Sequence, residues 1–167
     1  MQKKVLSEIG LYYGDVAMPK GFEIDRDKLQ SDILNSHINN KEFPYSREWD
    51  KLNTYLREHI NLEYGFQLIN KETWGDIYKP QQVSIPLLNI DPMDLRNAPD
   101  YTLLYGVKVE DCNIRIHYDD NRRKGRSWDI ELKNNMFIMF PSTNIYYITN
   151  KQKDSLNFIQ TITYEFI

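Results

Sequence analysis

A segment that begins after Asp25 has apolar side chains at helical spacing. Leu29, Ile33 and Leu34 fall on one face of this segment. An aspartate directly before such a pattern is a common N-cap, because its carboxylate accepts a hydrogen bond from a free backbone N–H of the first turn. The pattern therefore predicts a helix that begins after Asp25 and ends near residues 39–40.

A second stretch predicts a longer helix. Ser46 is placed to cap it and Gly65 is placed to end it, since glycine readily adopts the left-handed conformation found at helix ends. The apolar positions between them are three or four residues apart, as on the buried face of a helix. These positions are Trp49, Leu52, Leu56 and Ile60.

The rest of the chain is rich in β-forming residues in short runs. Val5–Ala17 predicts one or two short strands at a sheet edge. From residue 66 onward, turn residues separate the runs, and no helical pattern connects one run to the next. The predicted strands are Phe66–Ile69, Asp76–Tyr78, Val83–Ile90, Tyr101–Val109, Asn113–Tyr118, Ser127–Leu132, Met136–Phe140, Ile145–Thr149 and a final strand from Phe158 to Phe166.

This order of elements predicts a mainly β (α+β) fold. Strands without helical crossovers favour an antiparallel sandwich or barrel over a parallel α/β fold. We expect the two N-terminal helices to pack on the outside of one sheet. Residues 1–167 should form one domain, with a strand and helical preface over 1–65 and the β core over 66–167.

Composition limits the classes of partner. The chain has 41% hydrophobic residues and a net charge of -3 with a pI near 5.6. The hydrophobic fraction is that of a globular protein. The net charge and the pI show no excess of positive charge. Binding to nucleic acid or to an anionic membrane surface is therefore not favoured by the overall charge.

The single cysteine and the absence of a long apolar stretch bear on the compartment. Cys112 has no second cysteine with which to form an intramolecular disulfide or a CxxC site. No segment has the roughly 20 apolar residues of a membrane span. These features predict an intracellular, cytoplasmic protein that does not enter a membrane.

Two C-terminal stretches carry a family resemblance. They resemble the C-terminal part of proteins of the 2-oxoglutarate/Fe(II) oxygenase family. The first stretch reads FIMFPSTNIYYI and the second, which follows it, reads SLNFIQTITYEF. In one branch of that family a strand ends in Phe-Pro-Ser, a histidine follows four positions later and an arginine begins the last strand. The resemblance covers about residues 74–166 and is most specific at Phe140-Pro141-Ser142. It implies a double-stranded β-helix, or jelly roll. The chain also resembles proteins of marine tailed phages.

The same resemblance shows where this chain departs from the family. The His-x-Asp pair of the metal site falls on Asn89-Ile90-Asp91, the later histidine falls on Tyr146, and the 2-oxoglutarate arginine falls near Asn157. Of four expected groups only Asp91 is present. An amide and a phenol are poor substitutes for imidazole on Fe(II), and without arginine the bidentate grip on the cosubstrate carboxylate is lost.

A literal His-x-Asp occurs at His117-Tyr118-Asp119. It lies only 29 residues before Tyr146, and no other histidine in the β region could complete a metal site. A lone histidine near a strand end is more often a half-exposed side chain than a metal ligand, so we expect no metal here.

Two charged segments have ordinary structural explanations. The basic run NRRKGR over Asn121–Arg126 could contact phosphate, but a hairpin loop in which Gly125 supplies the turn explains it better. Asp91, Asp94 and Asp100 could bind Ca²⁺ or Mg²⁺, but their spacing matches no known loop, so a solvated turn is favoured.

The loss of three of four site positions predicts a non-catalytic jelly-roll protein without cofactors. We expect it to bind other protein subunits, as a homo-oligomer or as part of an assembly such as a phage virion. The alternative is an Fe(II)/2-oxoglutarate-dependent oxygenase (hydroxylase) with shifted ligands, which would use Asp91 or His117 with Asp119. A third hypothesis is a small-ligand binding protein whose pocket is lined by Asn89, Asp91, Tyr146 and Asn157.

Overall fold

The computed structural model describes residues 1–6, 8–39, 46–119 and 125–167. Within these ranges the chain forms two α-helices, a short 3-10 turn and eight strands. The helices are α1 (Arg26–Asn39) and α2 (Arg47–Tyr64), and the turn is Leu95–Asn97. The strands are β1 (Tyr12–Asp15), β2 (Leu68–Tyr78), β3 (Tyr101–Lys108), β4 (Cys112–Tyr118), β5 (Arg126–Leu132), β6 (Met136–Pro141), β7 (Tyr146–Asn150) and β8 (Asn157–Phe166).

Helix α1 begins as predicted at Asp25. The backbone N–H of Lys28 donates to Asp25 Oδ1 at 3.1 Å, which is the expected cap. Leu29 and Ile33 are fully buried, but the placement of Leu34 on the buried face was wrong, because Leu34 is 37% exposed. Asp32 takes the buried position beside Ile33, and Lys28 Nζ lies 2.7 Å from its carboxylate.

Helix α2 buries the four predicted apolar side chains and ends at Gly65, which has a left-handed φ of 70°. The predicted role of Ser46 was wrong in one respect. The helix does begin after Ser46, but the serine side chain makes no capping hydrogen bond, and its buried hydroxyl bonds to no residue that the structure describes. The extended backbone of Ser46 and the acidic first turn, Glu48 and Asp50, mark the start instead.

The strands form two antiparallel sheets. The large sheet has the order β1-β6-β3-β8-β2, and the small sheet has the order β5-β4-β7. Strands that are distant in sequence are neighbours in each sheet. The jelly-roll architecture that the sequence predicted is therefore confirmed, with the helices on the outer face of the large sheet.

The large sheet separates two cores because successive side chains of a strand point to opposite faces. On the outer face, Leu103, Tyr105 and Ile162 pack with the buried residues of the two helices. On the inner face, Leu104 and Ile159 pack against the small sheet, where Ile114 and Ile148 lie. Buried apolar side chains therefore occupy both layers.

Three predicted strands were wrong. Phe66–Ile69 and Asp76–Tyr78 are not separate strands, because β2 runs without interruption from Leu68 to Tyr78. Its polar middle is paired with β8 throughout, apart from a register shift between Asn70 and Glu72. Val83–Ile90 is not a strand. It makes two isolated bridges to β7, Val83 to Thr149 and Leu87 to Tyr146.

Most of the basic run Asn121–Arg126 lies outside the described residues, as do Ser7 and residues 40–45. Among the described helices, neither is long and apolar enough to span a membrane.

Candidate functional site

Four polar side chains from separate parts of the chain meet at one corner of the sandwich. The bridge between Leu87 and Tyr146 holds the segment that carries Asn89 against the start of β7. Thr102 lies at the start of β3, and Ser142 directly follows β6, whose last residue Pro141 pairs with Tyr101. The sheet register therefore brings Asn89, Thr102, Ser142 and Tyr146 to the same end of the fold. We call these four residues the corner cluster.

Hydrogen bonds connect the corner cluster. Asn89 Nδ2 donates to the Tyr146 hydroxyl at 2.9 Å and to Thr102 Oγ1 at 3.2 Å. Thr102 Oγ1 and Ser142 Oγ are 2.9 Å apart and share a further hydrogen bond. Thr102 and Ser142 are almost completely buried. The side-chain amide of Asn89 is thus held in one orientation, with its oxygen left without a donor among the described residues.

Tyr146 is buried and neutral. Its ring contacts Phe140 with 4.9 Å between the ring centroids. Burial raises the pKa of Tyr146 to about 12, although the hydrogen bond from Asn89 acts in the opposite direction. At neutral pH the side chain therefore carries its proton, so it offers a phenol rather than a phenolate.

An open cleft of about 230 Å³ lies beside the corner cluster. Asn89 lines it, together with three carboxylates, Glu72, Asp91 and Asp94, and one lysine, Lys71. Asp91 Oδ1 accepts the backbone N–H of Met93 at 2.9 Å, and the carboxylate of Asp94 accepts the Asn97 amide. Both aspartates therefore stabilise the exposed turn as well as facing the cleft. We call this space the corner cleft.

The third aspartate of the predicted turn, Asp100, lies elsewhere. Its Oδ2 accepts the backbone N–H of Phe166 at 2.8 Å, which fastens the end of β8. Asp100 therefore stabilises the end of β8 and does not line the corner cleft.

The sequence interpretation missed Asp76. In β2, Asp76 pairs with Ile159, whose side chain is in the inner core. Trp74 Nε1 donates to Asp76 Oδ2 at 3.0 Å, and Trp74 also lines the corner cleft. Burial raises the pKa of Asp76, while the bond from Trp74 and the charge of His37 oppose that rise. The alternation Trp74-x-Asp76 within a strand was the only sequence signal.

Asn157 lies apart from the corner cluster. It begins β8 and pairs with Tyr78, whereas Thr163, which lines the corner cleft, lies near the opposite end of the same strand. Its side chain is fully buried and bonds to both backbone groups of Glu110 at 3.0 and 3.2 Å. Gln152 Nε2 also donates to Asn157 Oδ1 at 2.6 Å. The amide therefore joins two loops.

His117, the first residue of the literal His-x-Asp119 pair, neighbours the corner cluster along the sheet, because Ile116 pairs with Tyr146, but its side chain lies on the opposite face. His117 is exposed on the outer face of the small sheet, where its ring contacts Tyr147 at 5.2 Å between centroids. Tyr146, which directly precedes Tyr147 in β7, points to the inner face. His117 therefore cannot share a metal ion with the corner cluster without a rearrangement of the strand.

The donor set at the corner does not fit the iron site of the family that the sequence resembles. The donors present are an amide oxygen (Asn89), a carboxylate already bonded to a backbone N–H (Asp91) and a protonated phenol (Tyr146). Within the described ranges, no three or more His, Cys, Asp or Glu residues are grouped closely enough to hold a metal. A ferrous site requires imidazole donors that this corner lacks.

Comparison with solved structures identifies similar folds. A prolyl-4-hydroxylase from Pseudomonas putida has a TM-score of 0.69 and 12% identity, covering 95% of this chain and 89% of that chain. A viral collagen prolyl hydroxylase from Paramecium Bursaria Chlorella virus-1 has a TM-score of 0.63 and 16% identity, covering 93% and 96%. The non-heme alpha ketoglutarate dependent epimerase of nogalamycin biosynthesis has a TM-score of 0.65 and 8% identity, covering 93% and 77%. No protein-family model and no curated protein matches the chain.

These neighbours confirm the double-stranded β-helix fold and the resemblance to 2-oxoglutarate/Fe(II) oxygenases. They contradict our prediction of a non-catalytic structural component without cofactors, because enzymes that depend on 2-oxoglutarate share the fold over more than nine-tenths of the chain. The alternative, an oxygenase with shifted ligands, agrees better with them. The resemblance to phage proteins and the expected homo-oligomer stay predictions.

Proposed function

We propose that the chain is an enzyme of the Fe(II)/2-oxoglutarate-dependent oxygenase class whose reaction takes place in the corner cleft. The observation that carries the proposal is the meeting of Asn89 and Tyr146, which are 2.9 Å apart beside the same cleft as Asp91. The sequence resemblance assigns these three positions to the metal site. The enzymes named above share the fold of this chain, which supports the class of the proposed reaction.

The ligand set must be a shifted one, because the residues present do not fit the usual iron site. In the enzymes of this class the metal and 2-oxoglutarate together supply the oxidising chemistry. The residues of this chain can bind and orient a polar molecule. Asn89 offers an oriented amide oxygen, and the carboxylate of Asp91 favours hydrogen-bond donors or cations.

A second candidate function is the binding of a small polar ligand without redox chemistry. The hydrogen bond between Asn89 and Tyr146 favours it, since the two side chains satisfy each other where metal ligands would otherwise stand. Asn89 and Asp91 would line the pocket, and the buried Tyr146 would orient the amide of Asn89.

The experiment measures succinate formed from 2-oxoglutarate by the purified protein with added Fe(II), ascorbate and oxygen. We expect succinate above the protein-free background, and about a tenfold or larger loss in Asp91→Asn, since the carboxylate that would hold the metal is replaced by a weaker donor. Asp94→Asn is the matched control, because Asp94 lines the same cleft and its carboxylate bonds to Asn97. His117→Ala should also keep full activity.

Two outcomes would reject the oxygenase proposal. One is succinate formation no faster than background at any metal concentration. The other is full activity in Asp91→Asn. If 2-oxoglutarate or another dicarboxylate then binds with the same affinity with and without metal, the result would support the second candidate function.

A further inference from the structure

A second cavity lies at the open edge between the two sheets. The edge strand of the large sheet here is β1 and that of the small sheet is β5, and side chains of both strands line the cavity. The cavity is partly open to solvent and has a volume of about 290 Å³. The segment 9–11, which precedes β1, and side chains of β1, β4, β5 and β6 form its walls. We call it the edge cavity.

Aromatic and aliphatic side chains form most of the edge cavity. Tyr13 and Trp128 stand on opposite edge strands and are each 58% exposed, whereas Phe140 and Ile116 are buried at the base. Tyr118 completes the wall on the small sheet. Large aromatic rings on two sides of a gap favour a flat guest, because the faces of a planar ring can contact both walls.

Asn144 is the polar group in this apolar surrounding. It lines the edge cavity and is 8% exposed, so more than nine-tenths of it is buried. Its backbone N–H donates to the Pro141 carbonyl at 3.0 Å. Its side-chain amide makes no hydrogen bond with the part of the chain that the structure describes. Its amide nitrogen and oxygen are not among the buried polar atoms that lack a partner, so they reach the solvent of the edge cavity, where a bound molecule can pair with both.

We propose that the edge cavity binds a planar two-ring aromatic molecule that carries adjacent hydrogen-bond donor and acceptor atoms. The volume of the edge cavity indicates the size of the bound molecule. A cavity of about 150 Å³ accommodates benzene, and the edge cavity is roughly twice as large. The amide of Asn144 offers an N–H donor and an oxygen acceptor side by side, so a molecule with an adjacent acceptor and donor can pair with both. Tyr13 and Trp128 hold the two faces of the ring system.

The edge cavity is a different space from the corner cleft. Phe140 forms part of its base, and the ring of Phe140 contacts Tyr146, which bonds to Asn89 on the other side. The inference does not rest on the proposed oxygenase activity. Binding in the edge cavity can be measured without metal or 2-oxoglutarate, so either proposal can fail alone.

The test compares two flat bicyclic probes of similar size by ligand-observed NMR and calorimetry. Quinolin-2(1H)-one carries a lactam N–H beside a carbonyl, and naphthalene carries neither. We expect saturable binding of the lactam with one site per chain, about tenfold or more tighter than naphthalene, because only the lactam pairs with Asn144. Asn144→Leu should remove the difference between the probes, and Asn144→Asp, which lacks the donor, should reduce it.

Two further variants test the walls. Trp128→Ala should weaken the binding of both probes, because one face of the ring system loses its contact. Phe22→Ala should leave the affinity for both probes unchanged. Phe22 is an equally exposed aromatic side chain, 63% exposed, that does not line the edge cavity. Circular dichroism and thermal melting establish that each variant is folded.

The proposal is overturned if the lactam shows no saturable binding or binds no tighter than naphthalene. It is also overturned if Asn144→Leu leaves the preference intact. Dimerisation that depends on protein concentration and is abolished by Trp128→Ala would identify a second copy of the chain as the occupant instead.

Discussion

At the scale of single residues, Asp76 is a half-buried carboxyl group that pairs in β2 with Ile159 of the inner core. Its neighbours in the inner layer are apolar or aromatic, and the charged form loses hydration there. One indole N–H, from Trp74, compensates in part. The direction of the pKa shift therefore indicates that the fold favours the neutral acid.

This gives a prediction with a definite sign. In the unfolded chain an aspartate titrates near 3.9, and in the folded chain burial raises the pKa of Asp76. The free energy of unfolding therefore decreases as the pH rises above the pKa of the unfolded chain and through the higher pKa of the folded chain. We expect Asp76→Asn, which keeps an acceptor for Trp74, to melt at a higher temperature than the parent at pH 7, with the difference closing by about pH 4.

Asp129→Asn is the matched control, because its effect should have the opposite sign. Arg115 hydrogen-bonds to this exposed carboxylate and lowers the pKa of Asp129. The variant should be slightly less stable than the parent at pH 7 and equal to it at low pH. An Asp76→Asn melting temperature that is lower at pH 7 would contradict our account of Asp76.

The sequence located part of the corner cluster and not the rest. The spacing after Phe140-Pro141-Ser142 pointed to Tyr146, and the family pattern pointed to Asn89. Thr102 was not found, because a buried threonine in a strand looks like any other β-forming residue. The contact between Asn89 and Thr102 depends on sheet register, which a single sequence does not encode visibly.

At the scale of elements, periodic segments were predictable and irregular ones were not. Helix α2 follows directly from its apolar spacing. The segment Val83–Ile90 has β-forming residues, but Pro86 interrupts it and Val83 and Ile85 are largely exposed. It therefore runs beside β7 with only two bridges. β2 was divided wrongly because its polar middle gains pairing from β8, which is distant in sequence.

The end of β3 is fixed by close backbone contact at Gly106. A Cβ at this position would lie 2.1 Å from the Lys133 carbonyl oxygen, which belongs to the turn between β5 and β6. That turn is held by the Asn135 N–H, which donates to the Gly106 carbonyl at 2.8 Å. Only a residue without a side chain allows the two backbones to approach so closely.

We therefore expect Gly106→Ala to lower the free energy of unfolding by about 2 kcal/mol or more, since backbone atoms must move to relieve the overlap. Urea denaturation followed by tryptophan fluorescence measures it. Gly14→Ala is the control. Its Cβ would meet the Phe137 ring at 3.4 Å, an ordinary contact, so its stability should stay within about 0.5 kcal/mol of the parent. Equal stability of the two variants would contradict the steric argument.

At the scale of the whole molecule, the large sheet is shared by both cores. Its outer face is covered by α1 and α2, and its inner face by the small sheet. Polar contacts add to this coupling: Arg26 donates to the Val107 carbonyl at 3.0 Å, and Gln160 donates to Asn53 at 3.0 Å. The two cores should therefore unfold together.

This coupling predicts that residues 66–167 cannot fold without the helical preface. Removal of 1–65 exposes the apolar outer face of the large sheet, where Leu103, Tyr105 and Ile162 are fully buried in the intact chain. It also removes β1, the partner of β6. Each buried side chain of this kind contributes roughly 1.5–3 kcal/mol, while the whole domain has only about 5–15 kcal/mol of stability. We expect the 66–167 fragment to aggregate or to melt without a cooperative transition in calorimetry, and the intact chain to show one transition. A fragment that melts cooperatively on its own would show instead that the β core is a separable domain and that the helices are an addition to it.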